Sequence, residues 1–142
     1  KSGNILYFLK QYQRKFKNGK VFDSSGGFLL KNKAMRSPDA ALVANDRWDL
    51  LSPEEKRKFP PLCPDFVIEL LSESDDLSKT KLKMNEWIEN GCRLGWLIDP
   101  FEKKVYIYKP GFTVRVHEDF TKSLSGEDVL PEFELPLSEL DE

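Results

Sequence analysis

The stretch CPDFVIELLSESDD, residues 63–76, has the length and hydrophobicity of a buried strand but carries acidic residues. Side chains alternate between the two faces of a strand. One face is wholly apolar and is expected in the core: it holds Phe66, Ile68 and Leu70. The opposite face holds Asp65, Val67, Glu69 and Leu71. Because a carboxylate is costly to remove from water without a cationic partner, Glu69 constrains what must surround this strand.

Asp65 and Glu69 share a face, but four residues along a strand separate them by about 13 Å, too far for one metal ion to bridge. The preceding strand, residues 39–44, begins with Asp39. If the strands 39–44 and 65–71 are adjacent and antiparallel, Asp39 comes near Glu69. Two converging carboxylates predict a cation between them, and Mg²⁺ or Mn²⁺ suits so few oxygen ligands. The alternatives are that Asp39 caps a turn after Pro38 and that Glu69 pairs with a lysine.

The following segment, residues 77–90, is predicted to be a helix that ends at Gly91. Its buried stripe is expected to comprise Leu77, Thr80, Met84, Trp87 and Ile88. Lys83 lies about 40° from Trp87 around the helix and is the lysine best placed to reach over the sheet. Alternatively, its stem packs on the core and its ammonium group stays in water.

The rest of the chain reads as alternating helices and strands. An amphipathic helix is predicted within residues 3–20, with Gly19 as its stop, and RLGWLI and VYIY are predicted to form a hairpin. This order favours an α+β or mixed α/β fold. With 142 residues, we expect one domain over 1–142. Since the first residue is Lys1, we also expect that native sequence upstream is missing.

Residue counts exclude several kinds of site. The two cysteines, Cys63 and Cys92, lack CxxC spacing, which favours a reducing cytoplasm and gives no zinc site. The single histidine, His117, excludes a His-rich metal site and is expected to be an exposed strand-end residue. No apolar run is long enough to span a bilayer, so no membrane association is expected.

Charge is distributed unevenly along the chain. Residues 1–40 carry nine Lys/Arg against two Asp/Glu, whereas residues 41–142 carry thirteen against twenty-two. A basic face built from residues 1–36 would hold the phosphates of a nucleic acid. The candidate contacts are Lys10, Arg14, Lys17, Lys31, Lys33 and Arg36. The alternative is a solvated basic helix beside an acidic tail.

Several blocks in this order, among them SPD at 37–39, PDFVIELLS at 64–72 and GWLIDP at 95–100, resemble a bacterial family of restriction-endonuclease-like proteins in the PD-(D/E)XK nuclease superfamily. The resemblance runs from about Gly19 to Leu140. It implies a mixed sheet flanked by helices in the core order αβββαβ, and metal-dependent phosphodiester hydrolysis. It also implies that Asp39, Glu69 and the backbone carbonyl of Leu70 bind the metal ion.

The chain departs from the superfamily pattern at two places. The motif lysine normally stands two residues after the acid, where this chain has Leu71. The position that matches the family's lysine, four before an aromatic residue and eight before a glycine, is Lys83, which the helical-wheel argument selects independently. Family members also usually carry sequence before the first helix, with acidic residues that are further candidates for the site.

These observations predict a Mg²⁺- or Mn²⁺-dependent endonuclease acting on DNA, with Asp39, Glu69 and Lys83 as its catalytic residues. One alternative is a nucleic-acid- or protein-binding module that keeps the fold without turnover. Another is an assembly protein, a homodimer whose contact patch is built from Trp96 and the segment Tyr106–Tyr108.

Overall fold

The chain is described here by a computed structural model that covers residues 2–140. The helices are α1 Ser2–Phe16, α2 Asn45–Trp48, α3 Pro53–Arg57 and α4 Leu77–Glu89, followed by a 3₁₀ helix, Leu137–Leu140. The strands are β1 Gly19–Asp23, β2 Phe28–Leu29, β3 Met35–Arg36, β4 Ala40–Ala44, β5 Phe66–Leu70, β6 Leu94–Asp99, β7 Lys104–Tyr108, β8 Arg115–His117, β9 Ser123–Ser125 and β10 Glu134–Pro136.

Six strands form one mixed sheet in the order β1-β4-β5-β6-β7-β8. Strands β5 and β6 are parallel, and the other neighbours in this sheet are antiparallel. The parallel pair follows from α4, which crosses over the sheet between β5 and β6. The succession α1, β1, β4, β5, α4, β6 is the predicted order αβββαβ, and the mixed sheet flanked by helices is confirmed.

The sheet separates two hydrophobic cores. On one face Phe66 and Ile68 of β5 pack with α1, the 3₁₀ helix and the β9–β10 hairpin. On the other face Val67 and Leu71 pack with α4 and with Phe28 of the β2–β3 hairpin. This division agrees with the predicted alternation of side chains along β5. Glu69 therefore lies on the face of the sheet that α4 covers.

The ends of the two long helices were predicted with different success. Helix α4 begins after Asp76, whose side chain accepts a hydrogen bond from the amide of Ser78, and Gly91 follows it with a φ of +117°, as expected of a helix stop. The prediction for α1 was wrong in its stop: the helix ends at Phe16, and Lys17 takes the left-handed conformation. Gly19 instead begins β1, where an added Cβ would lie 2.6 Å from Cδ2 of Leu42.

The predicted dimer patch is wrong. Trp96 is completely buried, and the segment Tyr106–Tyr108 is at most 9% exposed. Both faces of the central strands are covered, one by α4 and the other by α1 and the C-terminal elements, so these aromatic side chains belong to the cores. No helix within residues 2–140 is long and apolar enough to cross a membrane.

Candidate active site

Asp39 and Glu69 meet at one end of the sheet. Ala40 of β4 pairs with Ile68 of β5 in an antiparallel register, and continuing that register by one residue brings Asp39 beside Glu69. Oδ2 of Asp39 accepts a hydrogen bond of 2.7 Å from the amide of Leu70. This bond crosses from the start of β4 to the end of β5, as the sequence argument required, so the proximity of the two acids is confirmed.

Glu69 is buried, with 4% of its surface exposed. Its Oε2 accepts a hydrogen bond of 3.0 Å from Nε1 of Trp87 on α4. Its Oε1 lies 4.0 Å from Nζ of Lys83, also on α4. One carboxylate therefore receives a neutral donor and a nearby positive charge from the same helix.

The surroundings raise the pKa of Glu69 from its ordinary value of 4.5 to about 7. Burial is the largest cause, because it disfavours the charged form, and the nearby Asp39 carboxylate raises the pKa further. Lys83 and the Trp87 indole act in the opposite direction but do not offset burial. The site therefore holds negative charge that its own side chains compensate only in part.

Lys83 is placed as the helical geometry predicted. It lies on α4 at the edge of the buried stripe, one residue before Met84, which is fully buried. Its side chain is 47% exposed, so the ammonium group lies between solvent and Glu69. At 4.0 Å from Oε1 it supplies positive charge without a direct hydrogen bond.

Leu70 and Leu71 follow Glu69, and neither supplies the lysine that the superfamily motif carries on this strand. Leu71, at the usual position of the superfamily lysine, is 7% exposed and packs in the core beneath α4. The amide of Leu70 is bound by Asp39, which holds this peptide against the acidic pair. The proposal that the Leu70 carbonyl is a metal ligand stays a prediction.

Asp65 lies at the opposite end of β5, as its spacing from Glu69 required. It is 2% exposed, and its Oδ2 accepts hydrogen bonds from the amide of Ala44 and from Nη1 of Arg47, at 2.7 and 2.9 Å. Nη1 of Arg93 lies 3.6 Å from its Oδ1. These contacts give Asp65 a structural role that joins β4, β5 and the start of β6.

The Asp39–Glu69 pair fits a divalent cation by its chemistry. A cation placed between them would offset the repulsion that contributes to the raised pKa of Glu69. Two carboxylates leave most coordination positions for water and phosphate oxygens, which is typical of Mg²⁺ sites. Within residues 2–140 no group of three or more His, Cys, Asp or Glu side chains is arranged to hold a metal ion. The acidic pair could therefore supply only part of the ligands of a metal ion, and the rest would come from water or substrate.

The predicted nucleic-acid contacts do not form one face. Lys10 and Arg14 lie on α1, which packs on one side of the sheet, whereas Lys31, Lys33 and Arg36 lie in the β2–β3 hairpin on the side of α4. Lys17 follows α1 near the end of β4 that is remote from Asp39. The basic residues expected to form a single face over residues 1–36 thus lie on elements that pack on opposite sides of the sheet, and the individual contacts stay predictions.

An open cleft of about 750 Å³ lies beside the acidic pair, between the β2–β3 hairpin and α4. Among its lining residues are Arg36, Lys79, Lys83 and Glu86. Arg36 is thus the one member of the predicted basic set that lines this cleft in the described part of the chain. The cleft gives a solvent path to the side of the site where Lys83 lies.

Trp87 is the site residue that the sequence argument missed. Its place in the buried stripe of α4 was predicted, but its bond to Glu69 was not. A buried indole N–H usually has an acceptor. Glu69 is the acidic residue in the middle of the strand face that α4 covers, so combining the two patterns would have indicated the contact.

Comparisons with known proteins identify the family of the chain and a solved structure with a similar fold. A family model, Uma2, described as “Putative restriction endonuclease”, matches residues 1–138. A crystal structure described as a putative nuclease belonging to DUF820, from Anabaena variabilis ATCC 29413, superposes with a TM-score of 0.82. The match has 20% sequence identity and covers 99% of this chain and 77% of the other. No curated protein matches the sequence.

Proposed function

Because the chain belongs to the Uma2 family of restriction-endonuclease-like proteins, we propose that it is a metal-dependent endonuclease that hydrolyses phosphodiester bonds in DNA. The observation that carries the proposal is the buried Glu69 beside Asp39, with Lys83 reaching the same carboxylate from α4. A nuclease of the PD-(D/E)XK type needs these three groups together. They come from three separate elements, so their convergence requires the whole core.

Asp39 and Glu69 would hold the metal ion, and Mg²⁺ or Mn²⁺ supplies charge stabilisation at the scissile phosphate and a more acidic bound water. Trp87 fixes the rotamer of Glu69 through its hydrogen bond to Oε2, which leaves Oε1 directed toward Lys83. Asp39 is fixed by its bond from the Leu70 amide. The protein thus orients both carboxylates before a substrate binds.

Lys83 has two tasks in this proposal. Its ammonium group stabilises the negative charge that develops on the phosphate, and it orients the attacking water. With its side chain 47% exposed it is accessible to a substrate in the cleft, while its position on a packed helix limits its motion. The cleft delivers the nucleic-acid strand to this side of the acidic pair.

The test is cleavage of plasmid DNA with Mg²⁺, with Mn²⁺ and with EDTA. We expect cleavage with either ion and none with EDTA. The variants Asp39→Asn, Glu69→Gln and Lys83→Ala should each lose it, whereas Glu102→Gln, which changes an exposed acid on the β6–β7 turn, should cleave as the wild type does. Cleavage that persists in both acid variants would refute the assignment of the site.

A second candidate is a nucleic-acid- or protein-binding module without turnover. It is favoured by the apolar Leu71 at the motif position and by the 4.0 Å separation between Lys83 and Glu69, which is longer than a hydrogen bond. This candidate predicts salt-sensitive DNA binding that is unaffected by EDTA, with no cleavage under any of the ions.

A further inference from the structure

The cleft beside the acidic pair contains one arginine whose orientation is fixed in advance. Nε of Arg36 donates to Oε1 of Glu86 at 2.6 Å, and its Nη2 donates to Oε2 of the same carboxylate at 3.3 Å. Its Nη1 donates to the carbonyl of Met35 at 3.1 Å. The nearby Asn32 also donates to Oε2 of Glu86, at 2.9 Å, which fixes the carboxylate in turn.

These contacts leave part of the guanidinium group available. A guanidinium has five N–H donors, and three of those of Arg36 are used by the described residues. The two that remain are on the two terminal nitrogens, at the end of the group that Glu86 does not cover. With 39% of its side chain exposed, Arg36 presents this pair of donors to the cleft.

The location of Arg36 relates it to the chemistry. Glu86 lies three residues after Lys83, so the two side chains are neighbours on one face of α4. Arg36, which is paired with Glu86, therefore faces Lys83 from the β2–β3 side of the same cleft. A strand whose scissile phosphate lies at Lys83 has its next phosphates along this cleft.

The carboxylates of the cleft are already engaged. Asp75 accepts from the amide of Ser72, Asp76 caps α4 through the amide of Ser78, and Glu86 holds Arg36. The cleft is lined by three basic and three acidic side chains, so their formal charges balance, and a diffuse positive field does not explain phosphate binding there. Recognition must instead come from individual oriented donors, for which the paired N–H groups of arginine are well suited.

We propose that Arg36 binds a phosphate that flanks the scissile one, and that Glu86 is the positioning residue that orients it. This inference rests on the proposed function for the location of the scissile phosphate. It assigns to one arginine the role that sequence alone distributed over six basic residues. The ligand is the sugar-phosphate backbone, so this contact carries no base specificity.

The experiment measures binding of a fluorescein-labelled DNA duplex by fluorescence anisotropy, with Ca²⁺ in place of Mg²⁺ so that binding is separated from hydrolysis. We expect Arg36→Ala to weaken binding about tenfold at low salt, a loss of about 1.4 kcal/mol, since the contact is a charge-assisted hydrogen bond. It should also reduce the slope of log affinity against log salt by about 1. Arg36→Lys should keep the wild-type salt dependence but only part of the affinity. Lysine keeps the positive charge but lacks the paired N–H donors of the guanidinium group.

Glu86→Gln tests the positioning role. It should keep the salt slope, since Arg36 retains its charge, and should weaken binding by less than Arg36→Ala does. The matched control is the pair Arg115 and Glu127, whose ion pair of 3.3 Å resembles the first but whose arginine is on β8, three strands from β5, or about 14 Å away. Arg115→Ala should leave binding unchanged.

The outcomes separate this inference from the proposed function. Wild-type cleavage with an unchanged KM in Arg36→Ala would overturn the role of Arg36 while leaving the nuclease intact. If binding depends on Arg36 but the wild type cleaves no DNA, the phosphate contact is supported and the proposed nuclease activity is refuted. Equal losses in Arg36→Ala and Arg115→Ala, or no DNA binding by the wild type, would overturn the inference.

Discussion

Replacing Glu69 with glutamine should stabilise the metal-free protein at neutral and alkaline pH. The neutral amide has nearly the same shape as a protonated glutamate and can still accept from Nε1 of Trp87, which lies 3.0 Å from the carboxylate. It removes the charge whose burial raises the pKa of Glu69 from 4.5 to about 7. The substitution should therefore abolish the proposed metal binding while it relieves an electrostatic cost of the fold.

The sign and size of the change in the free energy of unfolding follow from the difference between the pKa values of Glu69 in the folded and unfolded states. Because the folded pKa of Glu69 is raised, its contribution to stability is fully present below about pH 4.5 and is lost as the pH rises through about 7. A rise from 4.5 to about 7 corresponds to about 3 kcal/mol. Relative to the wild type, Glu69→Gln should gain about that free energy of unfolding between about pH 4 and pH 8.

The assay is urea unfolding followed by circular dichroism across this pH range, in EDTA. The control Glu102→Gln, at an exposed turn, should lack the gain in stability that is predicted for Glu69→Gln. In saturating Mg²⁺ the wild type should recover stability, by about 2.7 kcal/mol at one hundred times the dissociation constant, and Glu69→Gln should not. A stability difference that stays flat or falls as the pH rises would refute the burial of a strained carboxylate at this position.

Other substitutions test the remaining contacts. Trp87→Phe removes the indole donor to Glu69, so it should lower the free energy of unfolding by about 1–3 kcal/mol and raise the pKa of Glu69 further, measured by urea unfolding against pH. Asp65→Ala should destabilise the protein by about 2–3 kcal/mol but leave Mg²⁺ affinity unchanged in calorimetric titration, since Asp65 lies at the other end of β5. Arg36 lowers the pKa of Glu86. Its stabilising contribution should therefore be present above pH 4.5 and be lost as the pH falls through that lowered pKa, an acid-limb dependence that Glu86→Gln should lack.

Strand alternation and register carried most of what sequence could predict about the site. The period of two along β5 assigned Glu69 to the face away from Phe66, and an antiparallel neighbour then required Asp39 to lie beside it. The period of α4 selected Lys83 in the same way. In both cases the direction of the side chain is fixed by the strand or helix that carries it.

Predictions failed where the outcome depended on how elements pack together. The aromatic residues of β6 and β7 were predicted to form a dimer contact, but elements on both sides of the sheet bury them. The local sequence pattern of a strand does not indicate whether its second face is also covered. The N-terminal excess of positive charge was real, yet the path of the chain divides it between two sides of the sheet. Trp87 was placed correctly, but its partner depends on the distance between α4 and β5.

The position of Lys83 on α4 has a consequence for how this site can change by mutation. An acid and a lysine two residues apart on one strand are locked together, because any shift of one displaces the other. Here the loop between β5 and α4 separates them, so insertions in that loop leave both attachments intact. The preceding helical turn already presents Lys79 to the same cleft. A lysine at position 79 is therefore positioned to take over the role proposed for Lys83 without any change in the positions of Asp39 and Glu69.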